Sequence, residues 1–450
     1  MICRDNAMPK LLAAIAIFIS CSTTRQTNST NATAAEINNV MQKDTNNTDD
    51  FLSSLLKNYP QYFEGILKNY KNWNVQIIYT QINRDAKGNP DLKHHYFNVN
   101  AGKYFYPASI VKLPVVLLAL QKLNELKERA RLNNEVGPGI NMNTTMLTET
   151  AFSGQTAVFN DPTTIDGRPS IAHYIKKILM VSDNDAYNRL YEFLGQEYIN
   201  AEMKKKGYTD VQILHRLNIF LTEEENRRTN PIKFYDADNK VLYVQPEQRN
   251  NAKHTVRKDS MGQGYYKAGK LINSSMDFSK KNRIGLEDLH KILISLVFPD
   301  KVKAGQRFNI TEDDRQFVLK YMSQYPTESF NPPYAADTVN YWPAYCKFLL
   351  YGAEKKPLHE KIRIFNKVGD AYGQMIDVAY VADYKNKIEF FISAVIYCNS
   401  DGILNDDKYD YDSIGKPFMK NLGNVIYDYE IKRKYKTRPD LSPLLFTYDK

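Results

Sequence analysis

Residues 361–398 read KIRIFNKVGDAYGQMIDVAYVADYKNKIEFFISAVIYC, and this stretch decides the fold. Three strand-like runs stand out in it: Lys361–Asn366, Met375–Val381 and Ile388–Cys398. A last helix is expected over 413–431. At the other end of the chain, Val75–Tyr79 and Tyr96–Val99 read as two more strands. They flank a loop with Lys87-Gly88-Asn89-Pro90, a hairpin connection. Phe51, Leu52, Leu55, Leu56 and Tyr59 recur at helical spacing. Helical periodicity returns at 109–130, 171–180, 184–194, 286–297 and 312–323. Strands first, helices in the middle, and strands plus a helix last predict an α+β fold. An antiparallel sheet is built from both chain ends and flanked by helices, with a helical lobe between them. Residues 232–284 are polar with alternating fragments such as Val241–Val244, and they read as an inserted lobe, as does the stretch at about 325–360.

The 450 residues are 43% hydrophobic and 25% charged, ordinary values for a globular protein with a large core. The net charge is +9, but no run of basic residues exceeds Lys204–Lys206. A solvated basic surface is therefore expected, and no nucleic acid partner. The four cysteines, Cys3, Cys21, Cys346 and Cys398, show no CxxC spacing. The seven histidines show no HExxH cluster. Neither a metal site nor a cofactor is expected, and the chain is expected to be a monomer.

Arg4 and Lys10 flank an apolar core at Leu11–Ser20, too short to span a membrane. It reads as a signal peptide over residues 1–20. Cys21 follows at once, and the arrangement resembles the lipobox of bacterial lipoproteins, although Phe18 departs from the usual leucine. The resemblance implies lipidation at Cys21 and contact with a membrane through that anchor. Residues 21–50, rich in Ser, Thr, Asn and Asp, read as a flexible tether before a domain over 51–450. The expected location is outside the cytoplasm, in a bacterial periplasm or on the outer membrane.

Ser-x-x-Lys occurs at Ser54, Ser109 and Ser413, so context must separate the three. Ser109-Ile110-Val111-Lys112 follows Tyr106-Pro107-Ala108 and opens a strongly apolar helix. In a first helical turn, free N–H groups and the positive end of the dipole can stabilise an oxyanion. Lys112, three residues on, shares that face. A lysine amine kept neutral by burial can take the hydroxyl proton. Ser182-Asp183-Asn184 joins one predicted helix to the next and presents a hydroxyl and an amide. Lys-x-Gly occurs at Lys205, Lys267, Lys303 and Lys367, and only Lys367-Val368-Gly369 ends a strand-like run followed by two more.

The ordered set of Ser109-x-x-Lys112, Ser182-Asp183-Asn184 and Lys367-Val368-Gly369 resembles the signature of class A β-lactamases and penicillin-binding proteins. The resemblance covers roughly residues 70–235 and 284–432, and it implies a β-lactamase/transpeptidase-like fold. It further implies Ser109 as nucleophile, Lys112 as its base or proton relay, and Ser182 as the proton carrier to the leaving nitrogen. Asn184 would hold a substrate amide. Lys367, with Val368 and Gly369, would face a substrate carboxylate. The backbone N–H groups of Ser109 and Asp370 would form the oxyanion hole. The implied substrate is a small-molecule β-lactam or a cell-wall peptide. The implied activity is that of a serine hydrolase working through a Ser109 ester.

Two departures matter. Val368 stands where the family has Thr or Ser, and so lacks a hydroxyl. Class A enzymes also carry a deacylating Glu a few residues after an Arg, whereas Ile213–Leu221 holds no carboxylate. Glu223–Glu225 follow late in that loop. Slow deacylation is therefore expected. A penicillin-binding carboxypeptidase or transpeptidase is the rival enzyme, and a non-catalytic peptidoglycan-binding module is the rival outside enzymes.

Overall fold

The computed structural model describes residues 46–132, 139–356 and 358–449. The signal segment, Cys21 and the tether up to residue 45 lie outside the described residues. The strand runs from both chain ends join in one antiparallel sheet of five strands. β1 (Gln76–Arg84) and β2 (Pro90–Phe97) form the N-terminal hairpin. β3 (Ile362–Ala371), β4 (Gln374–Asp383) and β5 (Ile388–Tyr397) form the C-terminal meander. The order across the sheet is β3-β4-β5-β1-β2. The chain ends meet where Gln76 of β1 lies opposite Val395 of β5.

Side chains alternate between the faces of a strand. Ile78 and Ile82 of β1 and Phe391 and Val395 of β5 point into a core shared with the helical lobe. Ile77, Tyr79, Phe390 and Ile392 point the other way, onto Leu52, Phe63, Phe418 and Leu422. Those residues belong to α1 (Asp50–Lys57), α2 (Pro60–Lys68) and, at the C-terminus, α10 (Lys416–Lys432). A sheet covered on both faces needs apolar residues on both, which is why β4 and β5 read as near-continuous hydrophobic runs.

The lobe is built around α3 (Lys112–Leu132). Residues 111–120 are all buried, so α3 is a central helix with no solvent face over that length. α4 (Ile171–Val181), α5 (Asn184–Leu194) and α6 (Gln196–Lys205) pack around it. A one-turn α7 (Glu223–Arg227) follows, then α8 (Leu286–Val297) and α9 (Glu312–Ser323). Two helices go beyond the sequence expectation: α2, opened by Pro60 at its first position, and α6. The expected helix over 109–130 begins instead with a 3-10 turn at Ala108–Val111.

The segment 232–284 is tied into its surroundings by strand pairing. Ile232–Tyr235 pairs with Thr145–Thr148, and Gly264–Lys267 runs parallel to Ile403–Leu404. The segment 325–360 is a chain of tight turns laid against the sheet, and it holds Cys346. Cys346 and Cys398 are both buried free thiols.

Candidate active site

Three elements bring the sequence motifs together. The first is the turn before α3. Ala108 has a left-handed φ of 47°, an uncommon conformation for alanine, and it swings the chain so that Ser109 faces a cleft. The second is the link between α4 and α5. Ser182 closes α4 in left-handed conformation (φ 60°), its N–H bonding Ile178 O while the Asp183 N–H bonds Lys177 O. Asp183 then caps α5, accepting from the Ala186 N–H at 2.8 Å. The Ser182 hydroxyl is left projecting from a turn fixed on both sides. The third is β3, an edge strand laid over the Ser109 turn. A Cβ added at Gly369 would lie 2.8 Å from Pro107 O and 2.9 Å from both Ser109 N and Ile110 N. Glycine is what lets the strand backbone approach this closely.

Lys112 is fully buried at the centre. Its Nζ lies 2.9 Å from Ser109 Oγ, 2.5 Å from Ser182 O, 2.7 Å from Asn184 Oδ1 and 3.3 Å from Ser182 Oγ. Burial, reinforced by the nearby Lys367 charge and opposed by Asp183, holds its pKa well below the ordinary lysine range. A neutral amine has two hydrogens and one lone pair. The Ser182 carbonyl and the Asn184 amide oxygen can only accept, so they take both hydrogens. The lone pair is then directed at the Ser109 hydroxyl.

Lys367 lies beneath the cleft floor, 1% exposed. Its Nζ donates to Ser182 Oγ and to Val368 O, both at 2.8 Å. Burial pushes its pKa down to about 8, opposed by Cys346, Asp370 and Asp377. Of the motif on β3, Val368 and Asp370 reach the cleft surface. Burial raises the Asp370 carboxyl, opposed by the Lys367, Lys416 and Lys112 charges. Ser54 and Ser413, the other Ser-x-x-Lys serines, are exposed, Ser54 in α1 and Ser413 in the turn before α10.

Two adjoining cavities of about 560 and 460 Å³ open beside Ser109. Both are lined by Ser109, Asn184, Asp370, Asp407, Tyr409 and Tyr411. The larger adds Tyr345, Cys346 and Phe348 from the turn-rich segment, which thus forms a wall of the cleft. A buried polar network fixes that wall to the sheet. Lys347 Nζ donates to Asn366 Oδ1 at 2.7 Å, Asn366 Nδ2 donates to Cys346 O and Asp377 Oδ1, and Asp377 accepts from the Leu349 N–H.

The smaller cavity is closed by Leu217 and Asn218. Their loop is held by Arg216, which bonds Glu192 at 2.8 Å. Asn188 brackets Leu217, accepting from its N–H at 2.8 Å and donating to its carbonyl at 3.0 Å. Asn218, two residues past Arg216, is therefore the polar side chain this loop presents to the cleft. Glu223–Glu225 do not reach it. Glu223 pairs with Arg227 and Lys280, Glu224 with Arg228 and Arg249, and Glu225 closes a capping box with Thr222. The acidic turn is structural, and none of the three is available as a base. Sequence reasoning missed Asn218, Asp407 and Tyr345. Asn218 carried one signal, its place two residues after the loop arginine, while Asp407 and Tyr345 carried none.

Among curated proteins none matches the chain by sequence. Solved structures with a similar course include a class A β-lactamase from Clostridium kluyveri, 13% identical with a TM-score of 0.44, covering 82% of this chain and 98% of that one. A β-lactamase from Xanthomonas campestris is 12% identical with a TM-score of 0.43, covering 85% and 100%. PBP-A, as a mutant in acyl-enzyme complex with penicillin G, is 13% identical with a TM-score of 0.43, covering 85% and 98%. The sequence pattern of the β-lactamase enzyme family matches residues 60–429, from α2 to within α10. That span takes in the whole sheet, the lobe and all three motifs. With its β-lactamase/transpeptidase-like α+β fold, the chain belongs to the β-lactamase enzyme family.

Proposed function

We propose that the protein is an exported serine hydrolase of the class A β-lactamase type that forms an acyl-enzyme on Ser109. The observation that carries this reading is the buried Lys112 Nζ, 2.9 Å from Ser109 Oγ and within 2.7 Å of two oxygens that can only accept, Ser182 O and Asn184 Oδ1. In the first step Ser109 Oγ attacks the substrate carbonyl carbon and its proton passes to Lys112 Nζ. Backbone N–H groups of Ser109 and Asp370 receive the oxyanion. As the tetrahedral species collapses, the proton moves from Lys112 through Ser182 Oγ to the leaving nitrogen. Lys367 beside Ser182 favours the transient negative charge on that oxygen. Asn184 orients the substrate amide.

Deacylation needs a base for water, and the loop offers Asn218 where a carboxylate would serve. That favours slow release of the acyl group and behaviour close to a penicillin-binding enzyme. Export and a lipid anchor are part of the same proposal, supported by the apolar core Leu11–Ser20 followed by Cys21.

The test is the pH dependence of acylation by a fluorescent penicillin. The rate rises with pH as Lys112 loses its proton at a depressed pKa. It falls again as Lys367 loses its charge near its pKa of about 8. A rate that climbs steadily to pH ~10, as an ordinary lysine base would give, contradicts the assignment.

A further inference from the structure

We infer that the cleft selects amide or ester substrates carrying a free ammonium group on a flank of the reacting carbonyl. This deepens the acyl-transfer reading above and rests on it. Asp370 and Asp407 both line the two cavities that meet at Ser109. Neither carboxylate makes a hydrogen bond or ion pair with any other described residue. The basic side chain on the cleft wall, Lys416, is already held by Asp412 at 2.5 Å. No arginine lines either cavity among the described residues. Lys367, Lys416 and Lys112 partly offset the Asp370 charge, whereas Asp407 pairs with no lysine or arginine among the described residues. Lys112 and Lys367 themselves lie below the cleft surface, Lys367 with Ser182 and Val368 as its partners.

An independent feature points the same way. Tyr409 and Tyr411 line both cavities, their ring centroids 5.4 Å apart, and Tyr345 adds a third ring in the larger one. Aromatic rings beside a carboxylate with no ion-pair partner, Asp407, suit a cation, by ring quadrupole and by charge. Val368 supplies no hydroxyl for an anionic group on the same wall. The cleft surface thus carries the Asp407 carboxylate, free of any ion pair with the described residues, and cation-compatible rings beside the reacting serine.

The test uses three penicillins with one six-carbon acyl side chain, ending in a primary amine, its N-acetyl amide, or its succinyl amide. An alkyl amine stays charged between pH 6 and 8. Their common nucleus makes the comparison one of flank charge alone. The second-order acylation rate is expected to be about 10-fold higher for the amine than for the acetyl amide, and lowest for the succinyl amide. The amine-to-acetyl ratio should fall toward one in Asp407→Asn, and should shrink in 0.5 M salt because the site is open to solvent. A ratio of one or below in the wild type overturns the inference. So does a ratio that Asp407→Asn leaves unchanged. If none of the three gives an adduct on Ser109, the acyl-transfer reading itself fails and this inference falls with it.

Discussion

Replacing Asn218 by glutamate should turn a slowly released acyl-enzyme into a turning-over one. Asn218 lines the same cavity as Ser109 and Asn184, and its backbone is fixed from the Leu217 side by Asn188 and by the Arg216–Glu192 ion pair. Position 218 is exposed, so the larger side chain meets no core. A positioned general base contributes ~10²–10⁴-fold to a hydrolytic step. Against that stands the left-handed backbone at 218, φ 55°, which asparagine tolerates better than glutamate. Holding glutamate there costs roughly 1–2 kcal/mol, about tenfold at ~1.4 kcal/mol per decade. Asn218→Glu should therefore raise deacylation by about 10–10³-fold. The assay is a stopped-flow time course with a chromogenic cephalosporin, reading burst amplitude for acylation and the later slope for release. The burst should persist and the slope should rise. An unchanged slope in a folded Asn218→Glu protein refutes the reasoning. So does a wild type that turns over above ~10 s⁻¹ with no accumulated adduct.

Two further substitutions probe different links. Gly369→Ala places a methyl group 2.8–2.9 Å from the backbone of Pro107, Ser109 and Ile110, so the strand and the nucleophile turn must separate. Acylation should drop at least 10-fold, measured with the fluorescent penicillin, while circular dichroism stays native; wild-type rates would mean that the strand and turn do not act as a unit. Cys21→Ser should release the protein from the detergent phase in a partition experiment, and a wild type found in the aqueous phase would remove the proposed anchor.

Much of the fold is legible in the sequence because several elements obey one rule at a time. α5, α8 and α9 stand where periodicity places them, the first capped by Asp183 and the last by the Thr311–Asp314 box. The strands are legible as apolar runs, but their ends are not. β3 continues past Asn366 through Lys367 to Ala371, because its polar residues are buried in partnerships with distant parts of the chain. β2 starts at Pro90, and the exposed Asp91, Lys93 and His94 in the first half of this edge strand hide it from a search for apolar runs. Within the site, the three motifs are legible since their spacing is local. The cleft walls are not. Cys346 and Tyr345 sit in turns without periodicity, and only the Lys347–Asn366–Asp377 network, formed across the fold, makes them part of the site. Glu223–Glu225 show the reverse case, where residues with the right chemistry are committed to caps and ion pairs.

The most direct measurement of the central claim is time-resolved intact mass spectrometry of the protein with penicillin G, followed by peptide mapping. One added mass equal to the whole β-lactam is expected, formed in a burst, lasting through the steady state, and located on the peptide carrying Ser109. In Ser109→Ala the adduct should be absent while the fold persists. An adduct on Ser54 or Ser413, or no adduct under conditions where the β-lactam is consumed, would contradict it.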